Sequence, residues 1–449
     1  MQSTGKNKLI TLVAMTLGFV MVQLDVTVVN VAIKTIGKSV GGNISSLQWV
    51  VNAYTLTFAA LILTAGALGD RIGAKRVFIT GFSVFTIASL GCGLAPNLPL
   101  LIIFRAVQGL GAAILVPCSL ALLSHAYTNP DERSKAVGIW AAGASSALAA
   151  GPIIGGALIA FLGWRSIFFI NIPIGITGIW LTAVYTTETG KSKGRSIDIW
   201  GQIVVGIALA CLAASMIEGG KLGWTNLYIL LGFALFALFM ALFILIENKT
   251  KDPMLPLVLF KIRNFSATTA IGFFINISFY GLIFVFSLYF QQLRGLSPLK
   301  TGIAFLPAMG AILMANLLAG RLAKGLGPKK VILIGALCFL AGSLVMLDVS
   351  KQTAFLWVAL PLFAMGLGVG LIVPPMTSAM LGSVDKSQSG VASGVLNSMR
   401  QAGSVIGVAL FGSLVAKGGQ FINGMHLSLI ITASLIVLSM VAAFAISKS

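Results

Sequence analysis

Charged residues are scarce in this sequence. Asp, Glu, Lys and Arg make up only 9% of its 449 residues, whereas 57% are hydrophobic and the mean hydropathy is +1.00. A soluble globular domain carries roughly a quarter charged residues. A chain of this composition cannot hide its apolar side chains in a soluble fold, which excludes soluble enzymes and soluble binding modules. The composition predicts instead that the lipid bilayer surrounds most of the chain.

Residues that bind metals or act as nucleophiles are also few. The sequence has two histidines, and they form no metal-binding spacing. It contains no phosphate-binding loop and no nucleophile elbow. Its four cysteines lie inside apolar stretches, as small buried side chains do, and they are Cys92, Cys118, Cys211 and Cys338. We therefore predict that the protein is not an enzyme and has no cofactor and no metal site.

Acidic residues are outnumbered by basic ones, with 11 Asp and Glu against 30 Lys and Arg and a formal net charge of +19. The basic residues are spread between apolar stretches and form no continuous patch, so we expect no nucleic-acid partner. Basic loops of membrane proteins face the cytoplasm. When the N-terminus is placed there, most Lys and Arg residues fall into cytoplasmic loops. The bias predicts that both termini are cytoplasmic and that basic loops contact anionic lipid headgroups.

Apolar runs long enough to cross a bilayer as helices recur along the whole chain. Fourteen runs can be distinguished, with boundaries that are good to a few residues. They fall at about 9–33, 48–69, 77–95, 99–123, 136–160, 165–186, 199–217, 226–246, 266–290, 301–320, 331–347, 353–376, 390–415 and 427–446. The sequence therefore predicts an all-α polytopic membrane protein with 14 transmembrane helices.

The sequence contains an internal repeat. Residues 66–81 align without gaps on residues 320–335. Later landmarks match in the same order, pairing Gly109, Gly111, Val116 and Pro117 with Gly366, Gly368, Val373 and Pro374, and Gly151, Ile154 and Gly155 with Gly403, Ile406 and Gly407. We predict two six-helix bundles, residues 1–190 and 251–449, joined by two inserted helices in residues 191–250. Two facing bundles permit alternating access, in which a cavity opens to one membrane side and then the other.

Three ionisable residues are predicted to lie deep in the membrane, where an unpaired charge costs several kcal/mol: Asp25, Arg105 and Arg400. The rise of an ideal helix places Asp25 and Arg105 at similar depth on spans 1 and 4, so the two could pair. If the pair separates as the bundles rock, Asp25 would be protonated more readily. The movement of the bundles would then be coupled to proton binding. A pair that never separates would be a structural ion pair.

Polar residues next to these charges indicate a wet cavity. Gln23, Thr27 and Asn30 line a polar face of span 1 adjacent to Asp25. Arg400 has no partner of equal depth, so it either lines the cavity or binds backbone carbonyl groups. The other residues predicted on the cavity are Gln108, Asn397 and Glu218.

The loop between spans 2 and 3 is a predicted gate. Its residues of interest are Gly66, Asp70, Arg71, Gly73, Lys75 and Arg76. The glycines permit a tight turn, and Asp70 could bind the N-terminus of a helix in the other bundle. Such a contact would latch the cytoplasmic side shut. The alternative is an ordinary basic loop that only sets orientation.

Span 5 carries a stripe of small residues. Gly143, Ala147, Gly151 and Gly155 recur at steps of four, with Pro152 and Gly156 beside them. Small residues at this spacing let another helix approach closely, and the proline bends the helix. The stripe predicts a seal between the two bundles, and generic helix packing is the alternative.

Several of these segments resemble motifs of one known family. The chain resembles the fourteen-span drug:proton antiporter branch of the major facilitator superfamily over nearly its whole length. The matching segments are Leu24–Ala32, Gly66–Arg76, Arg105–Gly111, Gly151–Gly156, Trp164–Gly175 and Arg400–Gly403. The resemblance implies the major facilitator fold, with two six-helix bundles and two extra helices.

The resemblance also implies functional roles. It makes the protein a proton-coupled antiporter that exports amphipathic drugs, dyes or antibiotics by alternating access. Asp25 would form the proton- and cation-responsive site, Arg105 would assist proton transfer, and Asp70 and Arg71 would gate the cytoplasmic side. Expected partners are a small amphipathic substrate, protons and the lipid bilayer. We expect a monomer that spans a bacterial cell membrane many times.

The predicted spans contain few carboxylates besides Asp25. Glu218 and Asp348 lie only near the outer ends of spans 7 and 11. This scarcity favours neutral, zwitterionic or monocationic substrates over dications. Two alternatives stay open, namely an exporter dedicated to one native metabolite or antibiotic, and a membrane sensor or channel that transports nothing by coupling.

Overall fold

The computed structural model describes residues 5–190, 198–250, 253–385, 388–416 and 420–446. Within these ranges the regular structure is helical, and no strand forms. The helices are α1 (Gly5–Val40), α2 (Ile44–Ile72), α3 (Ala74–Leu94), α4 (Leu98–Ala126), α5 (Pro130–Leu162), α6 (Ser166–Phe169), α7 (Asn171–Tyr185), α8 (Ile199–Leu222), α9 (Leu227–Lys249), α10 (Arg263–Leu288), α11 (Pro298–Ala304), α12 (Leu306–Leu326), α13 (Pro328–Val345), α14 (Phe355–Leu381), α15 (Ser389–Val415) and α16 (Phe421–Phe444). A π-helical turn, Tyr289–Leu293, extends α10.

The number of membrane-spanning helices agrees with the prediction. Thirteen helices in the described ranges are long and apolar enough to cross a bilayer, when α6 is counted with α7 and α11 with α12. The remaining long helix, α15, has 27 residues and carries the polar segment Asn397–Gln401. With α15 included, the fold provides the 14 predicted spans. The all-α polytopic fold class is confirmed.

Local sequence signals set the helix ends. Asn43, Asn97 and Asn226 cap α2, α4 and α9, because each side chain accepts a hydrogen bond from a backbone N–H of the first turn. Gly73 and Gly327 end α2 and α12 with φ values of 107° and 83°, which L side chains rarely adopt. These two glycines occupy equivalent positions in the repeat, so both copies turn in the same way.

The packing of the helices repeats as the sequence does. In the first half, α1 packs on α5, while α2 and α3 pack on α4. In the second half, α10 packs on α15, while α12 and α13 pack on α14. Helix α7 contacts α1 and α3 just as α16 contacts α10 and α13. The repeat therefore builds two bundles of the same internal arrangement.

The inserted helices lie over the seam between the two halves. Helix α8 packs against α2 and α15, one helix from each half, and α9 packs on α8. Gln202 of α8 donates a hydrogen bond to the Ala60 carbonyl at 2.5 Å. Leu209 of α8 contacts Ala59 of α2 and Ala402 of α15 in one small apolar cluster. The insertion is thus part of the packed structure.

The predicted division into residues 1–190, 191–250 and 251–449 remains a prediction, since its boundaries adjoin residues 191–197 and 251–252, which lie outside the described ranges.

We call the membrane side on which α1 begins the near side, and the side on which α1 ends the far side. Successive spans alternate between these sides.

Candidate functional site

A buried ion pair lies in the middle of the first half. Arg105 of α4 donates from Nη1 to Asp25 Oδ2 of α1 at 2.5 Å. Both residues are 1% exposed. The structure therefore brings together the two charges that helix rise places at equal depth. Removing one partner from such a pair leaves an uncompensated buried charge, which costs about 3–5 kcal/mol.

Amide side chains complete the coordination of the ion pair. Gln108, one turn after Arg105, accepts from Arg105 Nη1 at 2.7 Å and donates to Asp25 Oδ1 at 2.9 Å. Asn171 at the start of α7 donates to the same Oδ1 at 3.2 Å. Both amides also donate to Ser89 Oγ of α3. Side chains from four helices thus form one network around this carboxylate, and both of its oxygens accept hydrogen bonds.

Aromatic rings shield the arginine from water. The guanidinium carbon of Arg105 lies 4.4 Å from the ring centre of Tyr54 and 5.9 Å from that of Phe168. Arg105 Nε donates to the Val50 carbonyl at 3.0 Å. A cation over ring faces in a dry site is stabilised by the ring quadrupoles. The site therefore stabilises the positive charge of Arg105. Arg105 can change its hydrogen-bond partners only if the helices move.

Sequence reasoning placed Gln108 on the cavity but missed Ser89, Asn171 and Tyr54. Asn171 falls within the motif segment Trp164–Gly175, and this motif could have indicated that Asn171 belongs to the site. Glu247 was missed as well. It is 3% exposed near the near-side end of α9, and its Oε2 accepts a hydrogen bond from Leu255 N at 2.9 Å.

The other residues predicted on the cavity are not in the ion-pair network. Thr27 and Asn30 are buried and bond to backbone carbonyls of their own helix, and Gln23 is half-buried. Asn397 is half-buried, and its side chain donates to the Ser393 carbonyl at 3.0 Å. Their contact with a substrate stays a prediction.

The predicted cavity residue Glu218 lies at the far-side end of α8. It accepts a hydrogen bond from Trp49 Nε1 of α2 at 3.4 Å.

Arg400 is half-buried in α15, and its guanidinium has no hydrogen bond or ion pair to any described residue.

The small-residue stripe of α5 faces two different helices. Gly151 and Gly155 lie against Thr27 and Val28 of α1, so close that an added Cβ would collide with their side chains. Pro152 and Gly156 face α11 of the second half instead. The Gly156 position is 2.7 Å, measured from an ideal Cβ, from the Pro298 carbonyl oxygen. Gly143 approaches Thr16 of α1, and Ala147 is buried. One face of α5 thus packs within its own half while the other meets the opposite half.

Polar contacts close the far side between α1 and α10. Ser287 Oγ donates to the Asn30 carbonyl at 2.5 Å, and Gln291 Nε2 donates to the Val31 carbonyl at 2.9 Å. Lys34 Nζ donates to the carbonyl of Gln291, which lies in the π-helical turn. These bonds end on backbone atoms of the opposite half, so they hold whole helices together.

A second far-side contact joins α2 to α15. Gln48 Nε2 donates to the carbonyls of Val408 and Ala409, each at 2.7 Å. Gln48 is fully buried. Together with the α1–α10 and α5–α11 contacts, it closes the far side of the molecule.

The predicted gating loop is held by a residue that sequence reasoning missed. Glu188, after α7, accepts from the backbone N–H groups of Lys75 at 2.8 Å and Arg76 at 3.2 Å. It therefore caps the positive N-terminus of α3. An added Cβ at Gly73 would lie 2.6 Å from the Glu188 carboxyl carbon. Glycine at this position thus lets the carboxylate approach the helix.

Two charged members of the loop, Asp70 and Arg71, take no part in this cap. Asp70 and Arg71 are exposed, and neither side chain forms a hydrogen bond or ion pair within the described ranges. Gly66 lies 3.7 Å, measured from an ideal Cβ, from Pro117 of α4. The gating role of the loop stays a prediction.

Comparisons with known proteins cover nearly the whole chain. The sequence model of the Major Facilitator Superfamily matches residues 15–408. The methylenomycin A resistance protein of Streptomyces coelicolor is 36% identical over 419 residues, which cover 93% of this chain and 88% of that protein. The multidrug resistance protein Stp of Mycobacterium tuberculosis is 36% identical over 412 residues, covering 92% and 76%. The tetracenomycin C resistance and export protein of Streptomyces glaucescens is 32% identical over 412 residues, covering 91% and 76%.

The fold also matches a solved transporter. A bacterial homologue of the human lysosomal transporter Spinster, crystallised in an inward-facing and unoccupied conformation, superposes with a TM-score of 0.68. The match covers 99% of this chain and 98% of that chain at 15% identity, so it bears on the fold alone. The family match and the full-length relatives confirm the resemblance seen in the motifs and, with it, that the protein is not an enzyme. The chain belongs to the Major Facilitator Superfamily of membrane transporters.

Proposed function

We propose that this transporter exports amphipathic drugs, dyes or antibiotics in exchange for protons. The observation that carries the proposal is the buried Asp25–Arg105 pair at 2.5 Å, held by residues from four helices. Charged side chains are costly to place at this depth, and hydrophobic residues can replace such pairs with little loss of stability. The presence of the pair therefore favours a functional role. Relatives named for drug resistance support the substrate class.

The proton step follows from the geometry of the pair. Asp25 Oδ2 accepts from Arg105 and Oδ1 accepts from Gln108 and Asn171. Both oxygens of Asp25 act as hydrogen-bond acceptors in this arrangement. When α1 and α4 shift, Arg105 withdraws and the carboxylate loses its counter-charge in a site of low dielectric constant, so a proton takes the place of the arginine. Return of Arg105 expels the proton.

Alternating access supplies the shift. With the near side cytoplasmic, as the distribution of basic residues predicts, the far-side contacts of α5 with α11 and of α1 with α10 keep the outer side closed in this state. Opening to the outside requires these contacts to break. Both Thr27 and Asn30 lie on the same helix as Asp25, within two turns of it. A movement that opens the far-side seal therefore also moves the proton site.

The cellular setting follows from the same proposal. The relatives named above are bacterial, so we place the protein in the bacterial cell membrane with both termini in the cytoplasm. We propose that a single chain transports, since both halves that form the seal belong to one chain.

An exporter dedicated to one compound is the second candidate. Two relatives carry the name of a single antibiotic, methylenomycin A or tetracenomycin C. The difference between the candidates is the range of compounds that the protein moves, because both use the same proton step.

The test is transport by purified protein in inside-out proteoliposomes with an imposed pH gradient. The probes are ethidium as a monocation, methyl viologen as a dication and N-phenyl-1-naphthylamine as a neutral compound. We expect uptake of at least ethidium or the neutral probe, dependent on the gradient, and its loss in Asp25→Asn. Asp348→Asn, which changes an exposed carboxylate at the end of α13, is the matched control and should transport normally. Uptake that ignores the gradient would refute proton coupling.

A further inference from the structure

Arg400 is an uncompensated cation in the second half of the molecule. It lies in the polar segment of α15 and is half-buried. Its Nε is buried without a hydrogen-bond partner, and none of its nitrogens bonds to a described residue. The other arginine deep in the membrane, Arg105, is fully satisfied by Asp25, Gln108 and Val50. A partly desolvated guanidinium without a partner inside the membrane is unfavourable, so its persistence needs a reason.

The space around Arg400 is shaped to keep its side chain in place. An added Cβ at Gly272 of α10 would lie 3.3 Å from Arg400 Cγ, 3.0 Å from Leu396 Cδ1 and 3.5 Å from Met376 Cε. Glycine at position 272 therefore leaves room for the arginine stem between α10 and α15. The terminal nitrogens of the guanidinium are not sealed by this packing, because only Nε is buried.

Tyr280 supplies a second polar group at the same place. It is half-buried on α10, close enough to Arg400 for the two groups to interact electrostatically. Its hydroxyl forms no hydrogen bond to any residue in the described ranges. On its other side Tyr280 packs against the core of the first half, where Tyr54 stacks on Arg105. Tyr280 thus packs on the core that contains Tyr54 and also interacts electrostatically with Arg400.

The charges near this space decide what it can bind. Asp25 is neutralised by Arg105, and the described part of the chain has no carboxylate within ion-pair distance of Arg400. A cationic ligand would meet an unscreened positive charge here. An organic anion would instead satisfy the guanidinium by charge-assisted hydrogen bonds, and the tyrosine hydroxyl could donate another.

We propose that Arg400 binds the anionic group, a carboxylate or sulfonate, of an amphipathic substrate whose apolar body packs beside Tyr280. The inference rests on the proposed export function and adds amphipathic acids to its substrate class. It also separates the two ligands in space: the substrate anion binds to the second half, and the proton binds to Asp25 in the first half.

The test compares two dyes that differ in one group. The anion 1-anilinonaphthalene-8-sulfonate and the neutral N-phenyl-1-naphthylamine share the same aromatic body. Saturable binding of each dye is measured by fluorescence with purified protein in phosphatidylcholine nanodiscs, after subtraction of empty nanodiscs. The proteins are the wild type, Arg400→Gln, Arg400→Lys and Arg321→Gln. Arg321 is exposed at the near-side end of α12, so its variant removes the same charge elsewhere.

We expect Arg400→Gln to weaken binding of the sulfonate by about tenfold or more, the effect of one charge-assisted bond, and to leave the neutral dye unchanged. Arg400→Lys should restore part of the sulfonate affinity, and Arg321→Gln should change nothing. Unchanged sulfonate binding in Arg400→Gln, an equal loss for both dyes, or no saturable sulfonate binding by the wild type would each overturn the inference. Proton-coupled transport of ethidium by the same wild-type protein would still support the proposed function in those cases.

Discussion

Arg105 Nη1 donates to two acceptors at once, Asp25 Oδ2 at 2.5 Å and Gln108 Oε1 at 2.7 Å. Gln108 in turn donates to the other oxygen of Asp25 at 2.9 Å. The three side chains form a closed ring in which each group has a donor or acceptor on both neighbours. In the proposed transport cycle, this ring would fix the position to which Arg105 returns.

The ring predicts a strong effect of Gln108→Leu. The substitution keeps the side-chain volume but removes one of the two amide donors to Asp25 Oδ1, and a hydrogen bond to a charged group contributes about 1.5–3 kcal/mol. We expect transport to slow by about tenfold or more while the protein still inserts and purifies. Initial rates of ethidium transport in proteoliposomes measure the effect. Gln292→Leu, at an exposed position, is the control. Full activity of Gln108→Leu would show that the ring has no part in the cycle.

The far-side seal predicts a difference between two glycines of one span. An added side chain at Gly302 of α11 would collide with the Pro152 carbonyl of α5, whereas Gly310 of α12 has no atom within 4 Å of its added Cβ. Gly302→Leu should therefore hold the far side open, and Gly310→Leu should not. The readout is maleimide labelling of Ser287→Cys, a fully buried seal position, from the far side of oriented vesicles. Equal labelling in both backgrounds would contradict the assignment of the seal.

The contacts of α8 predict which half it moves with. Gln202 bonds to α2 through Ala60 and Thr64, whereas the α15 contact at Gly220 and Ser413 has no side-chain hydrogen bond in the described ranges. We expect α8 to travel with α2 and slide on α15. An ideal Cβ at Gly206 lies 3.9 Å from Ala60 Cβ, which suits a disulfide.

Two cross-links separate these motions. The pair Gly206→Cys and Ala60→Cys should form a disulfide without loss of transport, because α8 and α2 move together. The pair Leu209→Cys and Ala402→Cys, which share one apolar cluster between α8 and α15, should stop transport when oxidised and recover on reduction. Transport rates before and after oxidation give the answer. Arrest by the first cross-link, or full activity with the second, would show that α8 moves with the second half.

Much of the fold could be predicted from the sequence because the bilayer imposes it. Apolar runs of about 20 residues give the spans, and the repeat gives the pairing of the halves. The depth match of Asp25 and Arg105 follows from helix rise along each span. The family motifs pointed to Gln108 and to the segment that contains Asn171.

The remaining features depend on how helices rotate and which helices meet. Nothing in the local sequence shows that Asn171 and Ser89 face Asp25, or that Glu188 caps α3 across more than 100 residues of chain. The packing of α8 against α2 and α15 could not be predicted either. Its residues are apolar around most of the helix, so the sequence does not indicate which face packs against the protein. Glu247 was missed because it lies at the end of its span, where charges usually face water.

The most direct test of the account is proton movement driven by substrate. Proteoliposomes that contain the purified protein and a trapped pH-sensitive dye are given an ethidium gradient with no initial pH difference. The account predicts that the wild type moves protons against the direction of ethidium, and that Asp25→Asn moves none while Asp348→Asn behaves as the wild type. Proton movement by Asp25→Asn at the wild-type rate would contradict the claim that this carboxylate carries the exchanged proton.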